Sequence, residues 1–411
     1  MFINTSNNLI FKEISISTII NIVIAGFIFF LNIKIANELG TNNFGQYHYL
    51  ISIASIFTIF INFGTDRIAS FNYLNLKNIQ KVFNYVTSIR LVFFLLSLII
   101  TLIFFKSKLL ILAIIALNLQ CFNFGFVYEI NVKNANFSII FFIEKIFYLT
   151  LIIQSIFFNN ISVEFILLSI IISSSISLSI QSYLNKDLIH SFKLNLLQVF
   201  DKSLFKNLNI TLIFFSEYAY GGISKIFIQD KMDFESLGLF SAGMQLILII
   251  SIFQTQIVKV LRPIIFESQR TNKKEFINAI KKYFIFSSLP IILFSFIFYF
   301  ISPYFIELLY DNQYLGIIDI VLELSIYAFL INIKSLVGIL YIGFDKTFRF
   351  MIISVFFSIV LLLLFYFAPD GLSLNSYFFI ILTVQIVNYV FLLIDSYFIS
   401  IKKLNDADGV E

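Results

Sequence analysis

Cysteine and histidine, which supply many catalytic and metal sites, are nearly absent from this chain. Among its 411 residues there are one cysteine and two histidines. The lone Cys121 lies in an apolar block, which excludes an intrachain disulfide and argues against a thiol-based metal site. His48 and His190 belong to no H-x-x-H or H-E-x-x-H pattern, so no metalloenzyme signature is present. We therefore expect neither a metal nor another cofactor.

Charged residues are also scarce, at 13% of the chain against 59% hydrophobic residues. The blocks 14–33 and 351–368 contain no Asp, Glu, Lys or Arg and have the length that a helix needs to cross a bilayer core about 30 Å thick. These blocks are apolar on every face. A helix of a soluble protein carries a polar stripe, and a strand of a membrane barrel alternates apolar and polar residues. The sequence predicts an all-α polytopic membrane protein. Its basic residues cluster in short loops, which argues against nucleic acid as a partner.

Twelve apolar blocks predict twelve transmembrane helices, which puts both termini on the same side. If that side is the cytoplasm, the inner segments hold most of the 28 Lys and Arg residues, including Arg90 and Arg262. The positive-inside rule then predicts cytoplasmic termini. The predicted spans are 14–33, 46–65, 87–105, 109–130, 138–158, 161–183, 207–229, 236–258, 283–303, 317–340, 348–368 and 376–398.

Two similar turns indicate an internal repeat. Gly45 and Tyr47 lie at the start of the second apolar block, as Gly238 and Phe240 lie at the start of the eighth. Six crossings per half predict two parallel six-helix repeats around a central cavity. The predicted domains are an N-terminal bundle (1–183), a cytoplasmic linker (184–206), a C-terminal bundle (207–400) and a cytoplasmic tail (401–411).

The linker carries an apolar residue at every fourth position, with lysines between them. This spacing predicts an amphipathic helix that lies on the anionic inner leaflet of the membrane. The four apolar positions are Leu188, Phe192, Leu196 and Phe200.

Several turns resemble one transporter family. They are Leu39-Gly40…Phe44-Gly45-x-Tyr47, Phe63-Gly64-x-Asp66-Arg67, Gly238-x-Phe240-x-Ala242 and Gly343-Phe344-Asp345-Lys346. Along nearly the full length the chain is similar to the Wzx-type O-antigen flippases of the multidrug/oligosaccharidyl-lipid/polysaccharide exporter superfamily. The chain departs from them at Ala36-Asn37-Glu38, where the family often has an arginine.

The resemblance implies a flippase. Its expected substrate is an undecaprenyl-pyrophosphate-linked oligosaccharide, an O-antigen or capsule repeat unit, carried by alternating access across the bacterial inner membrane. It implies contact with membrane lipid and, as protein partners, a polysaccharide polymerase and chain-length proteins. Coupling to H⁺, to Na⁺ or to neither remains open.

Charged residues inside apolar blocks mark the expected site, because charge in the bilayer persists where it faces protein or water. Lysines and arginines are candidates for the pyrophosphate, tyrosines for the sugars, and carboxylates for a coupling cation. The substrate-binding candidates are Lys145, Lys225, Lys334, Tyr218, Tyr220, Arg67 and Arg262, and the cation-coupling candidates are Glu144, Glu217, Glu323 and Asp395.

Helical spacing suggests which of these charges lie near one another. Glu217 and Lys225, eight residues apart, share a face, as do Glu323 and Lys334. Glu144 and Lys145 are adjacent and are expected to point in different directions. For all of them the alternative is structural: Glu–Lys pairs that hold helices together.

Two other functions are weighed against the flippase. A drug/cation antiporter of the same superfamily would favour a cavity dominated by carboxylates, whereas these charges look balanced. An enzyme of glycan assembly would need a large outer loop or a nucleotide-sugar site, and the chain has no phosphate-cradling glycine loop. A transporter, not an enzyme, is therefore expected.

Overall fold

The computed structural model describes residues 7–65, 69, 73, 77–131, 133–194, 203–268 and 273–408. Within these ranges the secondary structure is helical and contains no strand. The chain forms two compact units. The first unit comprises Met1–Leu39 and Gln46–Phe215, and the second comprises Gly40–Gly45 and Ser216–Glu411.

Among the described residues, eight helices begin in the first unit, and the last of them continues into the second. In chain order they are α1 (Asn7–Asn62), α2 (Ile79–Phe104), α3 (Lys108–Leu119), α4 (Gly125–Ile130), α5 (Asn134–Phe157), α6 (Val163–Leu184), α7 (Lys186–His190) and α8 (Ser203–Tyr218). Helix α1 is divided at Gly40, whose φ of 73° and ψ of 165° suit a residue without a Cβ.

Side-chain caps fix the start of three of these helices. Asn78, Ser107 and Ser162 accept hydrogen bonds from backbone N–H groups in the first turns of α2, α3 and α6. Each bond satisfies a backbone N–H group that has no acceptor within the helix. An unpaired N–H group is most destabilising where water cannot reach it.

The predicted span 109–130 is not one continuous helix. It breaks after α3 into a short 3₁₀ turn, and α4 starts at Gly125, whose N–H donates to the Asn123 side chain over 2.9 Å. The buried Arg90 of α2 donates to the carbonyl oxygens of Cys121 and Asn123, two carbonyls at the break. Gln181 accepts from the Phe124 N–H over 2.7 Å. Arg90, which the sequence suggested to be an inner basic residue, therefore lies inside the bundle.

The structure describes seven more helices, all in the second unit. They are α9 (Ser224–Lys231), α10 (Phe234–Ser268), α11 (Lys273–Tyr283), α12 (Leu289–Leu309), α13 (Val321–Gly343), α14 (Thr347–Phe367) and α15 (Leu374–Asp408). A π-helical turn (Ala219–Ile223) joins α8 to α9, and another (Phe284–Ser288) joins α11 to α12. A 3₁₀ segment, Asn312–Ile320, precedes α13.

Nine segments among the described residues are long and apolar enough to cross a membrane. One of them, Ser15–Asn62, contains the division at Gly40. Large side chains such as Phe157 and Leu308 remain about 80% exposed in the folded chain, a surface that suits lipid. The all-α polytopic membrane fold is confirmed, and the count of twelve crossings stays a prediction.

The linker differs from its predicted form. Helix α7 ends at His190, and Phe192 lies beyond it in non-helical backbone. Leu188 and Phe192 pack against the hydrophobic core of the first unit, and Phe192 meets Phe83 edge to face. Packing against protein has thus replaced the continuous surface helix over this stretch, while Leu196 and Phe200 fall outside the described residues.

The two turns that suggested a repeat pack against each other inside the second unit. A Cβ added to Gly45 would lie 1.8 Å from the Phe234 carbonyl oxygen, and one added to Gly238 would lie 2.1 Å from that of Thr41. The contact is reciprocal, because each glycine admits the backbone of the other turn. Reciprocity of this kind is typical of surfaces related by a two-fold axis. We call this contact the glycine clasp.

Candidate functional site

An ion pair between α8 and α13 forms the centre of the candidate site. The Lys334 ammonium lies 3.0 Å from a Glu217 carboxylate oxygen, and both side chains are partly exposed. The sequence predicted Lys225 as the neighbour of Glu217 and Glu323 as the neighbour of Lys334. The observed pair instead joins Glu217 of α8 to Lys334 of α13. Spacing along a single helix carries no information on a partner from another helix.

The π-helical turn after α8 shapes the backbone beside this pair. Ser224 donates to the Ala219 carbonyl over 2.8 Å and so satisfies an acceptor within the widened turn. Gly222 lies directly under the Tyr218 ring, where an added Cβ would come within 1.8 Å of the ring carbon Cζ. Turns of this kind occur often at functional sites, and here the glycine holds the aromatic ring against the helix.

Helix α15 contributes a row of polar side chains next to α8 and α13. Asn388 donates to the Tyr220 hydroxyl over 3.2 Å, and Gln385 donates to the Tyr389 hydroxyl over the same distance. Tyr327 of α13 interacts electrostatically with both charges of the central ion pair. The set is here named the second-unit polar cluster. Its members are Glu217, Tyr220, Tyr327, Lys334, Gln385, Asn388 and Tyr389.

Two acceptors in the second-unit polar cluster have no donor within the described part of the chain. They are the side-chain oxygens of Gln385 and Asn388, both deeply buried. A buried amide oxygen without a partner is destabilising by about 1–3 kcal/mol, so such atoms are suited to water, a cation or a polar ligand.

The sequence analysis named Glu217, Tyr220 and Lys334 but missed the four other members of this cluster. A signal for three of them existed. Gln385, Asn388 and Tyr389 follow an i, i+3, i+4 spacing that makes one polar face on an otherwise apolar helix.

Lys225 and Glu323 lie elsewhere in the second unit. Lys225 is half-buried near the start of α9, and Glu323 lies in the first turn of α13. One carboxylate oxygen of Glu323 is buried and receives no hydrogen bond from the residues that the structure describes.

Asp395 occupies a separate ionic site near the other end of α15. It accepts a 2.6 Å hydrogen bond from the Tyr341 hydroxyl and forms an ion pair with Arg349. Both carboxylate oxygens are thus engaged, and the three residues tie α13, α14 and α15 together.

Asn332 is a buried junction between helices. Its side-chain oxygen accepts from Tyr283, Ser287 and Gln254, with distances of 2.9–3.1 Å. Arg262, on α10, is half-buried and interacts electrostatically with Tyr283. Arg67, the other arginine predicted to bind substrate, falls outside the described residues.

Glu144 and Lys145 form an ion pair within the first unit. Although adjacent in α5, they meet at 2.8 Å, contrary to the expectation that they diverge. Ser174 lies 3.5 Å from the same carboxylate oxygen, and the ammonium sits 4.6 Å from the centre of the Phe141 ring. This lysine is already neutralised inside its own unit.

The second-unit polar cluster therefore offers one cation, one anion and several phenol and amide groups in a membrane-spanning bundle. It can exchange ionic partners and bind hydroxyl-rich ligands. Throughout the ranges that the structure covers, no three His, Cys, Asp or Glu side chains lie close enough together to hold a metal ion.

The fold is that of known membrane transporters. The chain is similar to a lipid II flippase, MurJ, in an inward closed conformation, with a TM-score of 0.67 and 15% identity over 95% of this chain and 90% of that one. It is also similar to a multidrug resistance MATE family transporter of the MOP superfamily in an outward-facing conformation, with a TM-score of 0.63 and 14% identity over 97% and 99% of the two chains. No curated protein matches the sequence.

Residues 10–269 match the model of one protein family, described as polysaccharide biosynthesis protein. The match covers more than half of the chain, and the chain belongs to this family. The chain thus combines membership in a polysaccharide biosynthesis family with a fold shared by a flippase and by MATE transporters.

Proposed function

We propose that this protein is a flippase for an undecaprenyl-pyrophosphate-linked oligosaccharide, the repeat unit of an O-antigen or capsule. The Glu217–Lys334 ion pair is the observation that carries the proposal, because it places an exchangeable positive charge beside a set of phenol and amide groups. Membership in the polysaccharide biosynthesis family supports this substrate class, and one structural neighbour is a lipid II flippase.

The proposed mechanism is an exchange of ionic partners at Lys334. In the resting protein, Glu217 neutralises the ammonium and so lowers the cost of a charge within the bilayer. The pyrophosphate of the substrate then replaces Glu217, and Tyr220 and Asn388 meet the sugar hydroxyls. Because lysine binds phosphate as a point charge, the substrate can leave again when Glu217 returns.

The same exchange provides a means of coupling. Glu217, once displaced from Lys334, is a carboxylate that needs a new positive partner, and H⁺ or Na⁺ can supply it. The buried oxygens of Gln385 and Asn388 are nearby groups without donors in the described chain. We infer that cation uptake at Glu217 accompanies alternating access.

The proposal includes location and orientation. The protein would act in the bacterial inner membrane with both termini cytoplasmic, moving substrate from the cytoplasmic to the periplasmic leaflet. A polysaccharide polymerase and chain-length proteins would receive the product.

A cation-coupled drug antiporter is the second candidate, favoured by the likeness to MATE transporters. In that case an organic cation would replace Lys334 as the partner of Glu217. The two functions therefore depend on opposite members of the same ion pair.

Complementation of a bacterium that lacks its own repeat-unit flippase tests the proposal. The wild-type gene is expected to restore surface glycan, and Lys334→Met is expected to abolish it at unchanged membrane abundance. A suitable control is Lys231→Met, because Lys231 pairs with the exposed Asp370 at the end of α9. The hydrogen bond to Asp370 raises the pKa of Lys231, so this control also removes an ion-paired, charged lysine.

Surface glycan and drug susceptibility together distinguish the flippase from the antiporter. Restored glycan without a change in drug susceptibility supports the flippase. Drug resistance that depends on Glu217 but not on Lys334, without glycan export, would overturn it in favour of the antiporter.

A further inference from the structure

Helix α11 and the helix that follows it, α12, form one helical segment that is longer than a membrane is thick. The segment Lys274–Leu309 has 36 residues. At about 1.5 Å per residue it is about 54 Å long, whereas a bilayer with both headgroup layers is about 40–45 Å thick. At least one end of the segment must therefore lie outside the hydrocarbon.

The α11 end of this segment has the composition of a membrane–water interface. Helix α11 contains four lysines and one glutamate, whereas α12 contains no lysine or arginine. Directly after α11 the exposed side chains become large and apolar, with Phe284 and Phe286 exposed by 53% and 59%. The hydrocarbon therefore begins close to Phe284, and α11 lies on the aqueous side of that boundary.

One side of α11 is fixed against the second unit, and the rest of its surface is open. Phe276 and Tyr283 are buried among side chains of α10 and α13. Lys281 and Lys282 are exposed, and the apolar Ile277 is 44% exposed. The features that the sequence suggested for the linker, an apolar side and exposed lysines, are thus present in α11.

A second basic segment lies beside α11. The Phe344 ring, at the turn between α13 and α14, packs edge to face against Phe276, with 5.8 Å between the ring centres. Lys346 and Arg349 follow that turn and are exposed. Arg349 is neutralised by Asp395, as described above. The charge that this segment adds to that of α11 therefore comes from Lys346.

Three lysines of these two segments lie at the depth of the lipid headgroups. Lys281 and Lys282 precede Phe284 by three and two residues, and Lys346 precedes the exposed Phe348 by two. At about 1.5 Å per residue they lie about 3–5 Å outside the hydrocarbon, in a headgroup layer about 5–8 Å deep. The three lysines belong to none of the ion pairs among the described residues.

We propose that Lys281, Lys282 and Lys346 bind the headgroup phosphate of an anionic phospholipid. Unpaired ammonium groups at this depth attract anionic lipid, and lysine binds phosphate as a point charge. A zwitterionic lipid carries its own cation beside its phosphate, so it gains less from the lysines. The exposed Phe284 and Phe348 lie below the lysines, where they contact the acyl chains of the same lipid. This inference does not depend on the identity of the cargo.

The absence of tryptophan from the chain allows a direct test. Phe284→Trp places a single fluorescent reporter beside Lys281, and the full-length protein is reconstituted in mixed vesicles of phosphatidylcholine and phosphatidylglycerol. Bromine on the acyl chains of one lipid at a time quenches the reporter and so measures which lipid lies next to it. We expect phosphatidylglycerol to be bound about fivefold more tightly than phosphatidylcholine. The preference should weaken in about 1 M NaCl, where the Debye length is about 3 Å.

Phe300→Trp is the matched control for the position of the reporter. Phe300 lies on α12, which has no lysine or arginine, and its 56% exposure is close to that of Phe284. This reporter should show equal affinities for the two lipids. In the Phe284→Trp protein, the added substitutions Lys281→Gln, Lys282→Gln and Lys346→Gln should remove most of the preference, because they remove the charges and keep the polar surface.

Three results would overturn the inference. They are equal affinities at the Phe284→Trp reporter, a preference that survives the loss of the three lysines, and the same preference at the Phe300→Trp reporter. Displacement of phosphatidylglycerol by a small fraction of polyprenyl phosphate would also overturn it, because the lysines would then bind the lipid of the proposed substrate. Glycan export tests the proposed function separately, so failure of one proposal leaves the other standing.

Discussion

At the scale of single residues, the Glu217–Lys334 pair is a structural contact to which the proposed mechanism adds a chemical role. Either charge alone at the centre of a bilayer costs about 2.5–3.5 kcal/mol on insertion scales. The 3.0 Å contact offsets part of that cost. The pair is also partly exposed, so a ligand can reach it and take over one partner.

Replacing Glu217 by Gln tests the carboxylate separately from the lysine. The neutral amide keeps the shape and leaves Lys334 without its anionic partner. We expect Glu217→Gln to bind substrate but to lose any response to an imposed proton or sodium gradient, because the group that takes up the cation is gone. Substrate translocation into proteoliposomes, with and without each gradient, measures this. A gradient response equal to that of wild type would contradict the role given to Glu217.

Substitution of Gly222 tests the packing of the Tyr218 ring beside the Glu217–Lys334 pair. A Cβ here would lie 1.8 Å from the Tyr218 ring, so Gly222→Ala should displace that ring and destabilise the fold by about 1–3 kcal/mol, as overpacking does. Gly338→Ala is the control, because open space surrounds Gly338 on α13. The control should be neutral or stabilising by up to about 1 kcal/mol, since alanine favours helix over glycine. Melting temperatures of the purified variants distinguish the two, and equal values would refute the packing argument.

At the scale of elements, the break between α3 and α4 depends on groups from other helices. Arg90 of α2 donates to two carbonyls there and also bonds Thr65 over 3.2 Å. Backbone groups at a break within the bilayer must find partners inside the protein, because no water is present to solvate them. The buried guanidinium supplies several donors from one side chain.

Arg90→Met should therefore destabilise the first unit. The loss of hydrogen bonds from a charged group predicts a decrease of about 2–3 kcal/mol in the free energy of unfolding. Lys81→Met on the exposed face of the same helix is the control and should change little. Denaturant titration of both variants gives the comparison, and an unaltered midpoint for Arg90→Met would show that the break is held by other contacts.

The elements also show what the sequence could and could not predict. Uninterrupted apolar runs predicted helices such as α14, because a bilayer requires every backbone group to be paired locally. The spacing of Glu217 and Lys225 described one helix face only and carried no information on a partner from α13. The break at Asn123 was missed because the surrounding residues are as apolar as those of an unbroken span. Leu188 and Phe192 were assigned to a lipid surface although their apolar side chains suit a protein core equally well.

At the scale of the whole molecule, the glycine clasp joins the two turns that the sequence predicts to be repeats of each other. Thr41 and Gly45 belong to the second unit, although the residues on either side of 40–45 belong to the first. The sequence contains two similar Gly-aromatic turns, and their reciprocal packing gives those glycines a physical reason. Neither position has room for a side chain.

Gly45→Ala should separate the two turns, because the atom it would meet is a backbone oxygen that cannot rotate away. Loss of glycan export at normal membrane abundance is expected in cells. Gly26→Ala, at a glycine of α1 with nothing within 4 Å of an added Cβ, is the control and should export normally. Full activity of Gly45→Ala would mean that the clasp is dispensable.

The role of Lys334 is tested most directly by the rate at which purified protein moves a polyprenyl-pyrophosphate-linked oligosaccharide across proteoliposome membranes. Lys334→Met should lower that rate at least about tenfold, equivalent to about 1.4 kcal/mol, and Lys334→Arg should retain much of it, since either cation can bind phosphate. A correctly folded Lys334→Met variant that transports at the wild-type rate would contradict the exchange of ionic partners at this site.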